Sequence, residues 1–310
     1  MIMNQLYLMV GLPGSGKSTT AKALQASTGA VYINTDEIRT KMYGDPNILG
    51  GEEVFNAMIK EARRALSEKK SVILDATFLT AKRRRGILSN LGREGKIANR
   101  VCIMMCTPIE ECILRDSKRS RSVGKAVIDR MVRTFEMPYY HEGWDEIRLA
   151  YDVECHYPYP HEYADREKGY DQHNSHHSLT LDEHLKQAFL YATNNDFPYE
   201  VKQAAMWHDC GKPDTQYIDE LDGEAHYYNH EHIGAYQFLT SATSKYLDSI
   251  KRGYDVISIA MLITYHMVPY HFKHDQCPYD ALMAWGDKKG FRKADTDKIW
   301  KLHQCDVAAH

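Results

Sequence analysis

The chain has 310 residues, 43% hydrophobic and 26% charged, with a formal net charge of −3. This is the balance of an ordinary soluble globular chain, long enough for about two domains with cores of their own. No apolar run reaches membrane-spanning length, and seven cysteines without a close CxxC pair indicate neither a disulfide framework nor a thiolate zinc site, so a reducing, cytoplasmic compartment is expected.

The net charge hides an asymmetry. Residues 1–155 hold 24 Lys+Arg against 19 Asp+Glu, whereas residues 156–310 hold 15 against 23 and 15 of the 16 histidines. A mildly basic half suits a polyanion, and an acidic, histidine-rich half suits divalent metal, but neither charge alone establishes a partner.

Met1 to Val10 lacks a basic head and a small-residue cleavage site, and its apolar end at residues 6–10 reads as a buried strand, not a signal peptide. A glycine-rich loop follows, then a helical pattern from Lys17 to about Ser27. Ala30 to Asn34 reads as a strand ending at Asp36, residues 52–68 as a charged helix, and Ser71 to Ala76 as another buried strand. Thr80 is placed to cap a helix running to about Asn90. Arg100 to Cys106 is a further strand with Cys102 and Cys106 in the core, and residues 108–117 and 127–135 read as helices. Alternating strands and helices predict an α/β domain, a parallel sheet with helices on both faces. Residues 151–170, dense in Tyr, Pro, His and charge, are expected to hold a last strand and then a connector. From Leu181 the pattern is helical, over residues 181–193, 199–208, 232–240, 256–265 and 295–306, so the second half is expected to be all-α. The domain boundaries expected are 1–155, a connector over 156–175, and 176–310.

Gly11-Leu12-Pro13-Gly14-Ser15-Gly16-Lys17-Ser18 fits the phosphate-binding loop pattern in full, between a strand and a helix as that motif requires. Its glycines let backbone N–H groups turn inward around the phosphates of ATP. Lys17 reaches the β/γ-phosphates and Ser18 binds Mg²⁺ in this reading; Gly11, Gly14, Ser15, Gly16 and Thr19 complete the nucleotide site. Asp36 and Arg39 lie just past the second strand, on the edge that faces the ligand crevice of an open α/β sheet. There Asp36 suits a general base taking a proton from an acceptor hydroxyl, with Arg39 on an acceptor phosphate; a dipole-stabilised Asp at a helix start beside a solvated Arg fits that position equally. Asp75, ending its strand, suits a Mg²⁺-water ligand or a loop cap. Arg115 and Arg119 share a helical face and suit a lid that offsets charge on the transferred phosphoryl group, or else an exposed basic face. Lys82-Arg83-Arg84-Arg85 reads as such a solvated basic face.

These elements, together with Asn34-Thr35-Asp36-Glu37-Ile38-Arg39, Leu74-Asp75-Ala76-Thr77 and Arg115-Asp116-Ser117-Lys118-Arg119, resemble the phage-type polynucleotide 5′-kinases over roughly the first half. The resemblance implies that Asp36 is the general base, that Arg39 contacts the acceptor nucleotide's phosphate and that Arg119 is a lid residue on the ATP phosphates. Small-molecule P-loop kinases carry similar short elements, so the kinase reading is firmer than the polynucleotide one.

In the second half, adjacent His208 and Asp209 can reach one metal at a helix end, and a sulfur-free set of imidazole and carboxylate suits Mn²⁺, Co²⁺, Ni²⁺, Fe²⁺ or Zn²⁺. Thr180-Leu181-Asp182-Glu183-His184, His208-Asp209-Cys210-Gly211-Lys212, Asn229-His230 with Gly234-Ala235, and Asp306 resemble the HD phosphohydrolase superfamily across about 176–306. The resemblance implies a first metal on His184, His208, Asp209 and Asp306, with His230 and His266 holding a second. His266, on an apolar helix, equally fits a core histidine, and Lys212 equally fits a phosphate contact or a loop lysine. His226, His232, His271 and His274 read as surface or supporting residues, and His176 and His177 carry no assigned role. Asp306 sits four residues before the last residue of the sequence, leaving little chain to hold that ligand.

The joint expectation is an enzyme that heals RNA or DNA ends. One half would phosphorylate a 5′-OH from ATP and Mg²⁺, and the other would clear a 3′-phosphate or 2′,3′-cyclic phosphate, leaving ends for a ligase. The alternatives are a nucleoside or metabolite kinase fused to an HD nucleotidase, and an ATP-gated switch, which Asp36 argues against.

Overall fold

A computed structural model describes residues 4–45, 51–152, 155, 160–174, 179–221, 223–241, 256–272 and 278–310. The chain packs as two compact units, Met1–Ile128 with Pro138–Cys155, and Asp129–Met137 with His156–His310. The excursion at 129–137 adds to a boundary otherwise placed at 155.

The first unit is built on β1 (Gln5–Val10), β2 (Val31–Asn34), β3 (Val72–Asp75), β4 (Asn99–Met105) and β5 (Glu146–Ala150). These form one parallel sheet in the order β2-β3-β1-β4-β5. Strands covered on both faces read as apolar runs, and Leu6, Leu8, Met9, Ile73, Leu74, Val101 and Met104 are all buried. From β1 the chain goes to β2 and β3 on one side, then to β4 and β5 on the other. That reversal puts the ligand crevice at the carboxyl ends of β1 and β3. The register aligns Met9 with Asp75 and Asp75 with Asn34, so the three strand ends meet at that edge.

The helices of this unit are α1 (Lys17–Thr28), α2 (Thr35–Tyr43), α3 (Glu52–Ser67), α4 (Ala81–Asn90), α5 (Gly92–Ile97), α6 (Ile109–Ser117) and α7 (Lys125–Val132), the last running into the second unit. In α3, Val54, Met58, Ile59, Ala62, Ala65 and Leu66 repeat at helical spacing and form its buried face. The Thr80 hydroxyl caps α4, accepting from Arg83 N at 3.3 Å. The last strand lies before residue 151, not after it. Glu146 and Arg148 alternate with apolar neighbours because β5 is an edge strand with one polar face, which masks it in a search for apolar runs.

The second unit holds α8 (Pro160–Glu167), α9 (Leu181–Asn194), α10 (Tyr199–Trp207), α11 (His230–Ser241), α12 (Val256–Tyr265), α13 (Pro278–Lys289) and α14 (Lys293–Ala308). α9 opens on a reach-back contact in which Thr180 N donates to Glu183 Oε2 at 3.1 Å. α12 is apolar almost all round and is buried along its length, packing on α10, α11 and α14. The half is not purely helical: β6 (Tyr217–Ile218) and β7 (Ala225–His226) form an antiparallel hairpin too short for an alternating pattern to register. The stretch expected as a connector carries α8 and then the buried Gln172. Among the described residues, no helix is long and apolar enough to cross a membrane.

Candidate functional site

In the first unit the loop between β1 and α1 wraps tightly. Gly14 has φ 79° and sits against the Cys112 carbonyl, where any side chain would collide with backbone. Lys17 is buried and donates from Nζ to Leu12 O at 2.7 Å, and burial pulls its pKa below the usual lysine range. Ser15 Oγ is buried without a hydrogen-bond partner among the described residues, an orphan that fits a phosphate oxygen. Thr19 is exposed on the first turn of α1.

Asp75 gathers three donors on Oδ2: Ser18 Oγ at 2.6 Å, Tyr32 OH at 2.7 Å and Asn34 Nδ2 at 2.8 Å. Ser18 and Asp75 are thus in direct contact, as a hydroxyl and a carboxylate fit to share Mg²⁺. Asn34 also caps α2, its Oδ1 accepting from Asp36 N at 2.7 Å and Glu37 N at 3.3 Å. One side chain therefore ties Asp75 to the helix that carries Asp36. Asp36 is half-exposed and paired by Arg39 Nη1 at 2.6 Å and Arg121 Nη1 at 3.3 Å. Arg115 pairs with Glu111 at 2.5 Å and Asp152 at 2.7 Å, and Arg119 with Asp116 at 3.4 Å. Tyr32, Asn34 and Arg121 were missed in the sequence. Only the strand-end position of Asn34, one residue before a helix, signals a cap.

Arg84 departs from its expected place on a solvated basic face. It is fully buried and donates to both carboxylate oxygens of Glu142 at 2.7 Å, and to Phe78 O and Leu79 O at 2.9 Å. Its neighbours Lys82 and Arg83 are exposed.

In the second unit, three helices and two turns converge on a buried cluster. His184 comes from α9, His208 and Asp209 from just past α10, His230 from the start of α11, His266 from just past α12, and Asp306 from α14. Gly211 makes the HD turn possible, because a side chain there would strike His230 O and Gly234 N. His184 Nε2 lies 3.2 Å from His208 Nε2 and from Asp306 Oδ1, and 3.5 Å from Asp209 Oδ2. His230 Nε2 lies 3.1 Å from His266 Nε2 and 3.0 Å from Asp209 Oδ1. Asp209 therefore serves both groups, one oxygen to each.

The outward nitrogens determine the chemistry. Nδ1 of His184, His208, His230 and His266 faces Ala309 O, Ala205 O, Tyr227 O and Ile263 O at 3.3, 3.0, 2.7 and 2.7 Å. A carbonyl only accepts, so each neutral ring carries its proton on Nδ1 and turns a lone pair on Nε2 inward. Lone pairs facing each other at 3.1–3.2 Å beside two carboxylates are a donor set that could hold divalent cations. Without a cation, protons must take that place. Burial opposes charge on His208, but Asp209 and Asp306 outweigh it and push the imidazole up to about 9. Burial likewise opposes charge on Asp209, yet Lys212 and His208 hold it well below the usual carboxylate range.

Asp306 is buried despite its position near the last residue, and Tyr270 OH donates to its Oδ2 at 2.8 Å. Lys212 is buried beside the cluster, with Nζ 2.7 Å from both Asp209 Oδ2 and Gln172 Oε1. Gln172 and Tyr270 carry no sequence signal for these contacts. His226, His232 and His271 lie outside the cluster, and His176, His177 and His274 lie outside the described residues.

Residues 6–138 match the family model of the AAA domain. Over 153 residues the chain is 29% identical to the "Putative bifunctional polynucleotide phosphatase/kinase" of Acanthamoeba polyphaga mimivirus, covering 47% of this chain and 33% of that protein. Over 88 residues it is 33% identical to an uncharacterised protein of Mycobacterium tuberculosis, covering 24% of this chain and 18% of the other. The chain thus spans a third or less of the length of these relatives. Among solved structures, a chain of the Pnkp1/Rnl/Hen1 RNA repair complex is similar with a TM-score of 0.39 and 23% identity over 43% of this chain and 44% of that one. A gluconokinase from Sinorhizobium meliloti is similar with a TM-score of 0.35 and 15% identity over 49% and 85%. Over residues 6–138 the chain is similar to nucleotide-binding P-loop domains of the AAA type.

Proposed function

We propose that the chain is a bifunctional end-healing enzyme, an ATP-dependent 5′-hydroxyl polynucleotide kinase joined to a metal-dependent 3′-phosphatase or 2′,3′-cyclic phosphodiesterase of the HD type. The observation that carries it is the pairing, in one chain, of a complete phosphate loop backed by Asp36 and Asp75 with a buried, Asp209-bridged set of imidazole lone pairs. The mimivirus relative, named for both activities, supports nucleic acid as the acceptor. By this reading the domains are 1–155 and 176–310, and the ends produced suit a downstream ligase.

In the kinase half, Lys17 and the loop N–H groups hold the ATP phosphates, while Ser18 and Asp75 hold Mg²⁺. Asp36 takes the proton of the 5′-hydroxyl as that oxygen bonds to the γ-phosphorus and the bond to ADP breaks. Arg39 holds the acceptor, and Arg115 and Arg119 offset charge on the phosphoryl oxygens once they exchange Glu111, Asp152 and Asp116 for phosphate.

In the second half, His184, His208, Asp209 and Asp306 would hold one Mn²⁺, Co²⁺, Ni²⁺ or Fe²⁺, and Asp209, His230 and His266 a second. Such a cation would supply Lewis-acid charge to a phosphate ester. The carbonyls on the four Nδ1 atoms fix ring orientation, and Lys212 meets the substrate phosphate.

The test offers an RNA bearing a 5′-OH and a 3′-phosphate, with ATP, Mg²⁺ and in turn Mn²⁺, Co²⁺ or Ni²⁺, and follows the mass of both ends. Phosphate gained at the 5′ end and lost at the 3′ end is the expected result. Lys17→Ala or Asp36→Ala abolishes the gain alone, and Asp209→Ala the loss alone. Protein that binds ATP yet changes neither end refutes the proposal.

A further inference from the structure

The end of α14 delivers more to the metal cluster than Asp306. Two backbone bonds of the tight, three-residue kind fold the chain there: Ala309 N donates to Asp306 O at 3.0 Å and His310 N to Val307 O at 3.5 Å. Ala309 is buried, and its carbonyl faces Nδ1 of His184 at 3.3 Å. The backbone at 309 is thereby pinned against a cluster imidazole. The next side chain is His310, four residues beyond Asp306 and on the same face of the turn.

His310 Nε2 stands 3.5 Å from Asp306 Oδ1. Nε2 of His184 and of His208 stand 3.2 and 3.4 Å from that same oxygen. Three imidazoles therefore present the same ring nitrogen to one carboxylate oxygen at nearly equal distances. Two donors that each bind one cation at about 2.1 Å stand about 3 to 3.4 Å apart, so this spacing suits ligands that share an ion. The His310 ring lies edge-on to His184, with centroids 5.3 Å apart and planes at 62°. Its side chain is 31% exposed, whereas those of His184 and His208 are buried, so it approaches the cluster from the solvent side.

We propose that His310 is a fifth protein ligand of the first cation, closing on it from solvent. The inference rests on the metal-dependent reading of the second half. With His310 the first group offers five donor residues, His184, His208, Asp209, Asp306 and His310, against Asp209, His230 and His266 at the second. A third imidazole keeps the set in the range of Mn²⁺, Co²⁺, Ni²⁺ or Fe²⁺. The two sites are then unequal. The first cation is held by more protein donors and is retained, while the second keeps more positions for water or phosphate oxygen and exchanges more readily. A hydrogen bond from His310 that merely steadies Asp306 would give the same metal-free contact, and it predicts a different outcome on substitution.

The experiment titrates chelator-treated full chain with Co²⁺ and follows the visible absorption and the affinity of each equivalent, in wild type, His310→Ala and His310→Gln. Glutamine keeps an N–H to donate to Asp306 but replaces the imidazole ligand. The wild type is expected to bind two equivalents of unequal affinity. Both variants are expected to weaken the tighter equivalent about tenfold or more and to shift its absorption band, with the weaker equivalent changing less. Metal-free melting and ATP affinity should hold steady, which separates ligation from a folding defect. Tight binding unchanged in His310→Ala, equal weakening of both equivalents, or a loss in His310→Ala that His310→Gln restores overturns the ligand role and leaves the metal site standing. A wild type that binds no Co²⁺ overturns the metal-dependent reading and this inference with it.

Discussion

Arg84→Met is the substitution whose cost can be worked most directly from the structure. Arg84 is wholly enclosed and makes two bonds to Glu142 and one each to Phe78 O and Leu79 O. Methionine keeps much of the stem volume and removes every guanidinium donor. Among the described residues Glu142 then retains Trp144 Nε1 at 3.0 Å and Tyr139 N at 3.3 Å as donors, and no cation is left paired with its buried charge. Breaking a buried pair from one side costs about 3 to 5 kcal/mol. A solvated basic face would put the cost within about 0.5 kcal/mol of zero. Replacing both partners removes the stranded charge, so Arg84→Met with Glu142→Leu should be milder than the sum of the single changes by about 2 kcal/mol or more. Urea unfolding of the full chain measures this, and the transition that shifts on adding ATP and Mg²⁺ identifies the first unit. A single-variant cost under about 1 kcal/mol, or additive behaviour in the double variant, would refute the buried-pair argument.

Further consequences can be measured separately. Asp209→Asn should lower metal content at both groups, whereas His266→Ala should cost one equivalent, because Asp209 alone is shared; equal stoichiometry in wild type and Asp209→Asn would contradict the bridge. Tyr32→Phe removes one of three donors on Asp75 Oδ2 and should raise the Mg²⁺ needed for half-maximal kinase activity a few-fold, with metal-free ATP binding unchanged; an identical Mg²⁺ curve would contradict it. Burial, then the charge of Asp209, pushes Glu167 from 4.5 up to about 8. A raised carboxyl pKa means the folded state binds the extra proton, so this group's own contribution to metal-free stability is fully present below pH 4.5 and is lost as pH rises toward 8. By pH 7 the loss is on the order of 3 kcal/mol, and Glu167→Gln should remove that slope from the pH series. A slope that survives in the variant would locate the effect elsewhere.

Local signals were legible where the chemistry is local. The phosphate loop and the HD turn are short, and their glycines answer to contacts with nearby backbone, Cys112 for Gly14 and His230 for Gly211. Helix positions in α3 and α9 follow from apolar spacing and from the Thr180–Glu183 reach-back contact. Long-range partners were not legible. Arg84 stands in a run of four cations, and only a glutamate 58 residues away distinguishes it from the exposed Lys82 and Arg83. Gln172 lies in a stretch without periodicity, yet it is buried against Lys212 across 40 residues of sequence. β5 was displaced in the sequence reading because an edge strand mixes charge with apolar residues, and α2 was overlooked because only its Asn34 cap announces it.

The two centres share an electrostatic design. Every cation proposed to meet phosphate already has an internal partner: Lys17 a loop carbonyl, Arg39 the carboxylate of Asp36, Arg115 the pair Glu111 and Asp152, Arg119 Asp116, and Lys212 the shared Asp209. Substrate binding is therefore an exchange of partners. Affinity follows from the difference between the phosphate contact and the one it replaces, not from the sum of new contacts. At the second centre, by the proposed reading, a phosphate that draws Lys212 from Asp209 would leave that carboxylate to the cations it is proposed to bridge. The internal pairs thus act as placeholders, holding each cation in position while making a ligand without phosphate a poor competitor for it.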